Sequence, residues 1–250
     1  DAWTQEAFSF PIPGGLVEGR ARDGANCFNV NALVNSEGSE GSTGSLANAA
    51  RFALLIEQLG YTEQEGESIA AAITDWIDPD NSPGFGGAED PIYATRTRPY
   101  RTGGTPIADI SELRLIQGVD DERYDVLEEF LCARDDNEFN PLNLNTLEPW
   151  QAPLLSSVLG NQVDISAADR LILERPASGY GTVSDALTAD VLGTQDLPPD
   201  FLDRFSLKSD YYDVEMTVRY RSAVINMTTS LKIRQAGGIT TLSRRYGTFE

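Results

Sequence analysis

The chain has 250 residues, 40% of them apolar, and carries a net charge of −20 with no histidine at all. That length and apolar content suit a folded core that needs no external staple and exclude a disordered tail. The missing histidines remove Ser-His and Cys-His catalysis, His general bases and His-based metal sites, and the strong negative charge disfavours nucleic acid.

The charge is uneven: residues 1–207 carry −23 and residues from Lys208 onward carry +3. No apolar run approaches the roughly 18 residues that a spanning helix needs. The chain opens on Asp1 with no Met and no signal peptide, so any anchor is expected upstream of it.

In chain order, Phe8–Ile12 alternates, Pro13-Gly14-Gly15 turns, and Leu16–Arg22 reads as the returning strand of a hairpin. Ser36–Ser45 is a Ser/Gly/Glu stretch without apolar residues and reads as a mobile loop. Leu46–Leu59 reads as a helix stopped by Gly60, and Glu67–Ile77 as a second with Ile69, Ile73, Trp76 and Ile77 on one stripe. Asp109-x-x-Glu112 has the form of a capping box opening a helix over Ser111–Gln117. Tyr124, Leu127, Phe130 and Leu131 mark the next helix, Ser166 is placed to cap Ala167–Glu174, and Phe201, Leu202 and Phe205 mark the last. The C-terminal part turns back to period two. Tyr212, Val214, Met216, Val218 and Tyr220 alternate with polar residues, Ile225, Met227, Leu231 and Ile233 form a second run, and Gly237-Gly238 turns into Ile239–Tyr246. These are three antiparallel strands.

The middle repeats itself. Asn29-Val30-Asn31-Ala32-Leu33 echoes Asn143-Leu144-Asn145-Thr146-Leu147, and each is followed by a helix ending Leu-Gly, at Leu59-Gly60 and Leu159-Gly160. This reads as a duplicated helical unit, with the paired Asn side chains capping a turn.

One segment gathers chemistry. Asp75, Asp78, Asp80, Glu89 and Asp90 crowd into the stretch 75–90, among prolines and glycines. Carboxylates this close repel one another, and a hard dication bound by oxygen ligands at about 2.3–2.6 Å removes that cost. Asp78, Asp80, Ser82 and Glu89 fall at positions 1, 3, 5 and 12 of an EF-hand-like spacing, but Pro83 stands where the loop needs Gly. A calcium (Ca2+) loop of another kind is the expectation. The competing reading is a solvated acidic helix end, which opposes the helix dipole.

Other chemistries find less support. Paired carboxylates serve hydrolases, but no aromatic cleft signature accompanies them. Ile110–Val119 has the form of half a helix-hairpin-helix element, yet Asp120-Asp121-Glu122 follows where phosphate contacts need cations. Cys27 and Cys132 are too few for a zinc site. They are either two buried thiols or a disulfide, which over a loop of about 100 residues is worth about 4–5 kcal/mol in the chain-entropy model.

Several short segments together carry a resemblance: Cys27–Leu33, Asp75–Asp80, Gly87–Tyr93, Cys132-Ala133 and Asn143–Thr146. In this order the sequence resembles the K-type minor pseudopilins of type II secretion systems. The resemblance implies an α+β fold, a pilin-like antiparallel sheet from both chain ends (1–33 and 207–250) and an inserted, internally duplicated helical domain (34–206). It implies calcium on Asp78, Asp80, Glu89 and Asp90, with Asp75 capping or orienting neighbours, and a disulfide between Cys27 and Cys132. It also implies a non-catalytic subunit at the pseudopilus tip, on the periplasmic face of the Gram-negative inner membrane, held to the membrane through an upstream hydrophobic helix. The implied partners are the I-type and J-type minor pseudopilins, with the H-type and secreted substrates as further candidates, and no nucleic acid. Two alternatives stay beside it: a calcium-dependent adhesin and a carboxylate-based hydrolase.

Overall fold

The structure is a computed structural model that describes residues 7–34, 41–160, 163–187, 201–234 and 237–247, with side chains from residue 46 in the second segment. Nine strands and seven α-helices are described in it.

The two chain ends build one sheet. Strands β1 (Phe8–Ile12), β2 (Gly15–Asp23), β7 (Tyr211–Tyr220), β8 (Ala223–Ile233) and β9 (Ile239–Tyr246) lie in the order β1-β2-β7-β8-β9, every pair antiparallel. Alternation sets the register. Val17 faces Val218, which faces Ile225, and Gly19 faces Met216, which faces Met227. Side chains of period two stand on one face, so Val17, Met216, Val218, Ile225 and Met227 share the apolar face of the sheet. The opposite face carries ion pairs, Arg20 and Arg22 to Glu215 at 2.8 and 2.5 Å and Arg219 to Glu18 at 3.2 Å. At Gly15 a Cβ would strike the Arg219 carbonyl, so glycine permits β2 to leave its turn beside β7.

Between β2 and β7 lies the helical insert. Helix α1 (Gly41–Gln58) packs on α2 (Glu63–Ile77), and a second pair, α5 (Ala152–Leu159) and α6 (Ile165–Leu173), packs beside it. Gly66 makes the first pair close, since a Cβ there would lie 2.8 Å from the Ala53 backbone. A large core runs through both pairs, with Phe28, Phe52, Leu55, Ile73, Leu154 and Val158 fully buried. Among the described residues, no side chain of the five-stranded sheet belongs to that core.

Two stretches of the insert share a local backbone pattern. Strand β3 (Phe28–Asn29) pairs in parallel with β4 (Leu131–Cys132), and β5 (Leu142–Asn143) pairs in parallel with β6 (Phe205–Ser206). After each first strand an Asn caps the turn: Asn29 Oδ1 accepts from Asn31 N–H at 3.2 Å, and Asn143 Oδ1 from Asn145 N–H at 3.1 Å. Each first helix then ends before a glycine of positive φ, Gly60 at 95° and Gly160 at 94°.

Several elements depart from their sequence expectations. Helix α1 begins at Gly41, inside the stretch expected to be a loop; the rest of that stretch, 36–40, lies outside the described residues. Helix α2 begins at Glu63, because Thr62 and Glu65 form a reciprocal capping box ahead of the apolar stripe. Asp109 and Glu112 do form their box, but it opens a 3-10 turn over Ile110–Leu115. Asp120 caps α4 (Asp121–Leu127), and Leu131 belongs to β4 and not to that helix. Asp164, not Ser166, caps α6, and the last expected helix is a 3-10 turn over Leu202–Arg204. Residues 26–33 contribute Phe28, Val30 and Leu33 to the core of the insert.

Candidate metal centre

The acidic segment is shaped by α2 and what stops it. Asp75, Trp76 and Ile77 occupy the last turn of α2, and Asp78 caps it in an extended conformation, its N–H on the Thr74 carbonyl at 2.9 Å. The loop that follows is tied back to the helix. Asp75 is 2% exposed, and its two carboxylate oxygens accept the Gly84 N–H at 3.0 and 3.2 Å. Gly87 packs directly on the same carboxylate, where a Cβ would overlap Asp75 Oδ2. Gly87 N–H also closes a turn on the Gly84 carbonyl at 3.0 Å.

This folding brings Asp78, Asp80 and Glu89 together, with one carboxylate oxygen of each lying within 4.8 Å of the others. Glu89 is 1% exposed, and neither of its oxygens nor the buried Asp78 Oδ1 makes a hydrogen bond of regular geometry, although the Asp90 N–H stands near the Glu89 carboxylate. Asp80 is exposed and accepts the Ser82 N–H at 2.7 Å. Burial, followed by the neighbouring charges of Asp80 and Asp75, pushes the Asp78 carboxyl above its ordinary value. Burial, then the charges of Asp75 and Asp78, does the same to Glu89. A buried carboxylate with no more than a weak backbone donor costs several kcal/mol, on the order of the penalty for an uncompensated charge, unless it is protonated or meets a cation. A hard oxygen-liganded dication fits this donor set.

Asp90 lies apart from the trio. It opens the short helix α3 (Asp90–Tyr93), and its Oδ1 accepts from Thr102 N–H at 2.9 Å and Thr102 Oγ1 at 3.2 Å, with Arg101 Nε 3.7 Å from Oδ2. It fastens the 100–104 strip over the site, where Gly104 N–H reaches the Trp76 carbonyl at 3.0 Å. Ser82, the fifth position of the EF-hand-like spacing, is exposed. The aromatic wall behind the site, Trp76, Tyr93 and Tyr100, has ring centroids 5.3–6.1 Å apart. The apolar stripe signalled Trp76, but nothing local in the sequence linked it to Tyr100.

The cysteines are joined: Cys27 and Cys132 form a disulfide across β3 and β4, with a sequence separation of 105. It stands about the joint between insert and sheet. There Lys232 Nζ reaches Asp135 and Asp136 at 3.3 and 3.1 Å, Tyr211 Oη donates to Asp136 at 2.9 Å, and Arg245 pairs with Asp109. Burial lowers the Lys232 ammonium's pKa, but Tyr211, Asp136 and Asp135 outweigh it and hold the group well above its ordinary value.

Comparison with known proteins places this architecture. The family models for "Type II secretion system (T2SS), protein K" match residues 26–136 and 142–207, the two halves of the insert. Type II secretion system protein K of Pectobacterium carotovorum subsp. carotovorum is 34% identical over 250 residues, spanning 98% of this chain and 74% of that protein. The protein K of Klebsiella pneumoniae is 34% identical over 194 residues, spanning 78% and 59%. A chain in the crystal structure of the GspK-GspI-GspJ complex of the enterotoxigenic Escherichia coli Type 2 Secretion System superposes with a TM-score of 0.82 at 25% identity, covering 99% of this chain and 85% of that one. The chain therefore belongs to the type II secretion system protein K family.

Proposed function

We propose that this chain is a non-catalytic minor pseudopilin that assembles at the tip of a type II secretion pseudopilus, on the periplasmic side of the inner membrane, with I-type and J-type subunits. The observation that carries this reading is the likeness, over nearly the whole chain, to a chain of the GspK-GspI-GspJ complex. The fold agrees with it in physical terms. A duplicated helical insert is too bulky to repeat along a tightly packed filament, so it belongs at an end. The sheet meanwhile keeps an apolar face that takes no part in the insert's core, as expected of a surface that packs on other elements of an assembly. Among the described residues no helix is long and apolar enough to cross a membrane. The test is to mix the chain with purified I-type and J-type periplasmic domains and measure mass by light scattering. A stable ternary complex supports the reading, and three unassociated monomers at micromolar concentration contradict it.

Calcium is the cation this reading assigns to Asp78, Asp80 and Glu89. Charge, oxygen-only donors and the buried Glu89, whose oxygens make no hydrogen bond of regular geometry, support it. When bound, the ion would neutralise three carboxylates and brace the loop between α2 and α3. The hydrolase alternative needs its acid and base open to substrate, and the burial of Glu89 speaks against it.

A further inference from the structure

The Cys27–Cys132 disulfide has two unlike ends. Cys27 is 9% exposed, and the guanidinium of Arg134 stands against it, with Nη2 3.3 Å from its sulfur. Arg134 is itself 6% exposed, stacks on the Tyr211 ring at 4.6 Å and donates to the Gly24 carbonyl. Its Nε has no hydrogen-bond partner, and among the described residues no carboxylate lies within ion-pair distance of it. It is a buried cation in contact with the Cys27 sulfur, and across Gly24 from it lies the Asp213 carboxylate. Cys132 is the more exposed residue of the two. Both cysteines, and Arg134 with them, line the cleft of about 1000 Å³ that opens between insert and sheet, bounded by Ile107, Glu128 and Trp150 on one side and by Glu215 and Arg245 on the other.

We infer that the bond is polarised for thiol–disulfide exchange: an external thiolate attacks Cys132 from the cleft, and Cys27 leaves as a thiolate held by Arg134. The partner is a dithiol oxidoreductase or a small dithiol. Its thiolate forms a mixed disulfide with Cys132 Sγ while the Cys27–Cys132 bond breaks and its electron pair goes to Cys27. The partner's second thiol then attacks its own sulfur in the mixed disulfide, releases Cys132 and leaves the partner oxidised and this chain reduced by two electrons. Read backwards, the same path closes the bond, with the Cys27 thiolate displacing the partner from Cys132. A leaving thiol of lower pKa departs faster, and a neighbouring guanidinium lowers that pKa. Asp23, Asp135 and Asp213 also line the cleft, but Arg134 is the charged group in contact with the sulfur. Arg134 thus acts as a positioning residue for the redox chemistry of a bond that otherwise only staples the insert. The inference does not depend on the calcium assignment.

The experiment traps the intermediate on the native, oxidised chain, using a thioredoxin-type protein whose resolving cysteine is replaced by serine, followed by peptide mass spectrometry. The expected adduct is on Cys132, exceeding that on Cys27 by about threefold to tenfold, since exchange rates follow only part of a difference in leaving-group basicity. An adduct on Cys27, equal adducts, or none where the denatured chain is trapped would each overturn the inference. Arg134→Met should bring the two adducts towards parity, and Arg134→Lys should restore the bias. A bias unchanged in Arg134→Met would remove Arg134 from the account. Should that variant fail to fold, the partition on the native chain still decides.

Discussion

The acidic loop and the insert–sheet joint both concentrate carboxylates, yet they settle them in opposite ways. At the joint, Asp136 meets Lys232 and Tyr211, Asp109 meets Arg245, and Glu215 on the neighbouring sheet meets two arginines. In the loop, Asp78, Asp80 and Glu89 face one another, and among the described residues none is in an ion pair with Lys or Arg. These joint carboxylates meet cations of the protein itself; the loop is short of positive charge. Local charge density is the same kind of signal in both sequences, and only the arrangement of cations separates a fastener from a binding site.

The largest effect is expected at the staple beside the joint. Replacing both Cys27 and Cys132 by Ser should cost about 4–5 kcal/mol in the chain-entropy model for a loop near 100 residues, read by urea denaturation with calcium present and with chelator. An equal loss in both conditions keeps the staple and the loop independent. Calcium comes next. At about 100 times its dissociation constant it should add about 2.7 kcal/mol to the native chain. Glu89→Gln should abolish that gain and, by removing one of three facing charges, should raise stability in chelator; a fall in chelator would contradict the charge deficit. At the joint, Lys232→Met should cost about 1–3 kcal/mol by leaving Asp136 and Tyr211 without their cation, and the cost should be the same with and without calcium. The smallest effect belongs to the exposed Arg219–Glu18 pair, whose side chains are 57% and 45% exposed. Arg219→Ala should change stability by no more than about 0.5 kcal/mol, and a larger loss would mean the sheet depends on its surface charges.

The loop also makes a prediction about pH. Asp78 and Glu89 have raised pKa values in the folded chain. Without metal, the folded state therefore holds protons that the unfolded state has already released. Stability should rise as pH falls from neutral through the folded pKa values towards the ordinary carboxylate range. With calcium bound the same carboxylates are held ionised, and stability should instead be lost as pH falls. Parallel pH profiles with and without calcium, measured by thermal melting, would break the contrast between the two regions.

Much of this was legible in the sequence because its causes are local. Alternation exposed β1, β2, β7, β8 and β9, and the crowding of Asp75–Asp90 exposed the loop. The Asn-x-Asn echo was read as turn capping, and both Asn side chains make that bond. What stayed hidden depends on contacts far apart in the chain. The parallel pairs β3–β4 and β5–β6 are two residues long, too short for any period. Asp90 shares the charge of its neighbours, and only the approach of Thr102 shows where its oxygens are directed. Asp164 and Ser166 are both good caps, and nothing local ranks them. Arg134 gave no signal, because its role depends on a cysteine 107 positions away.

The most direct test of the calcium loop is anomalous scattering from crystals grown with calcium. The account predicts a peak bounded by Asp78, Asp80 and Glu89, at about 2.3–2.6 Å from their oxygens. A calcium-saturated crystal with no peak there, and with Glu89 hydrogen-bonded to water or protein instead, would contradict it.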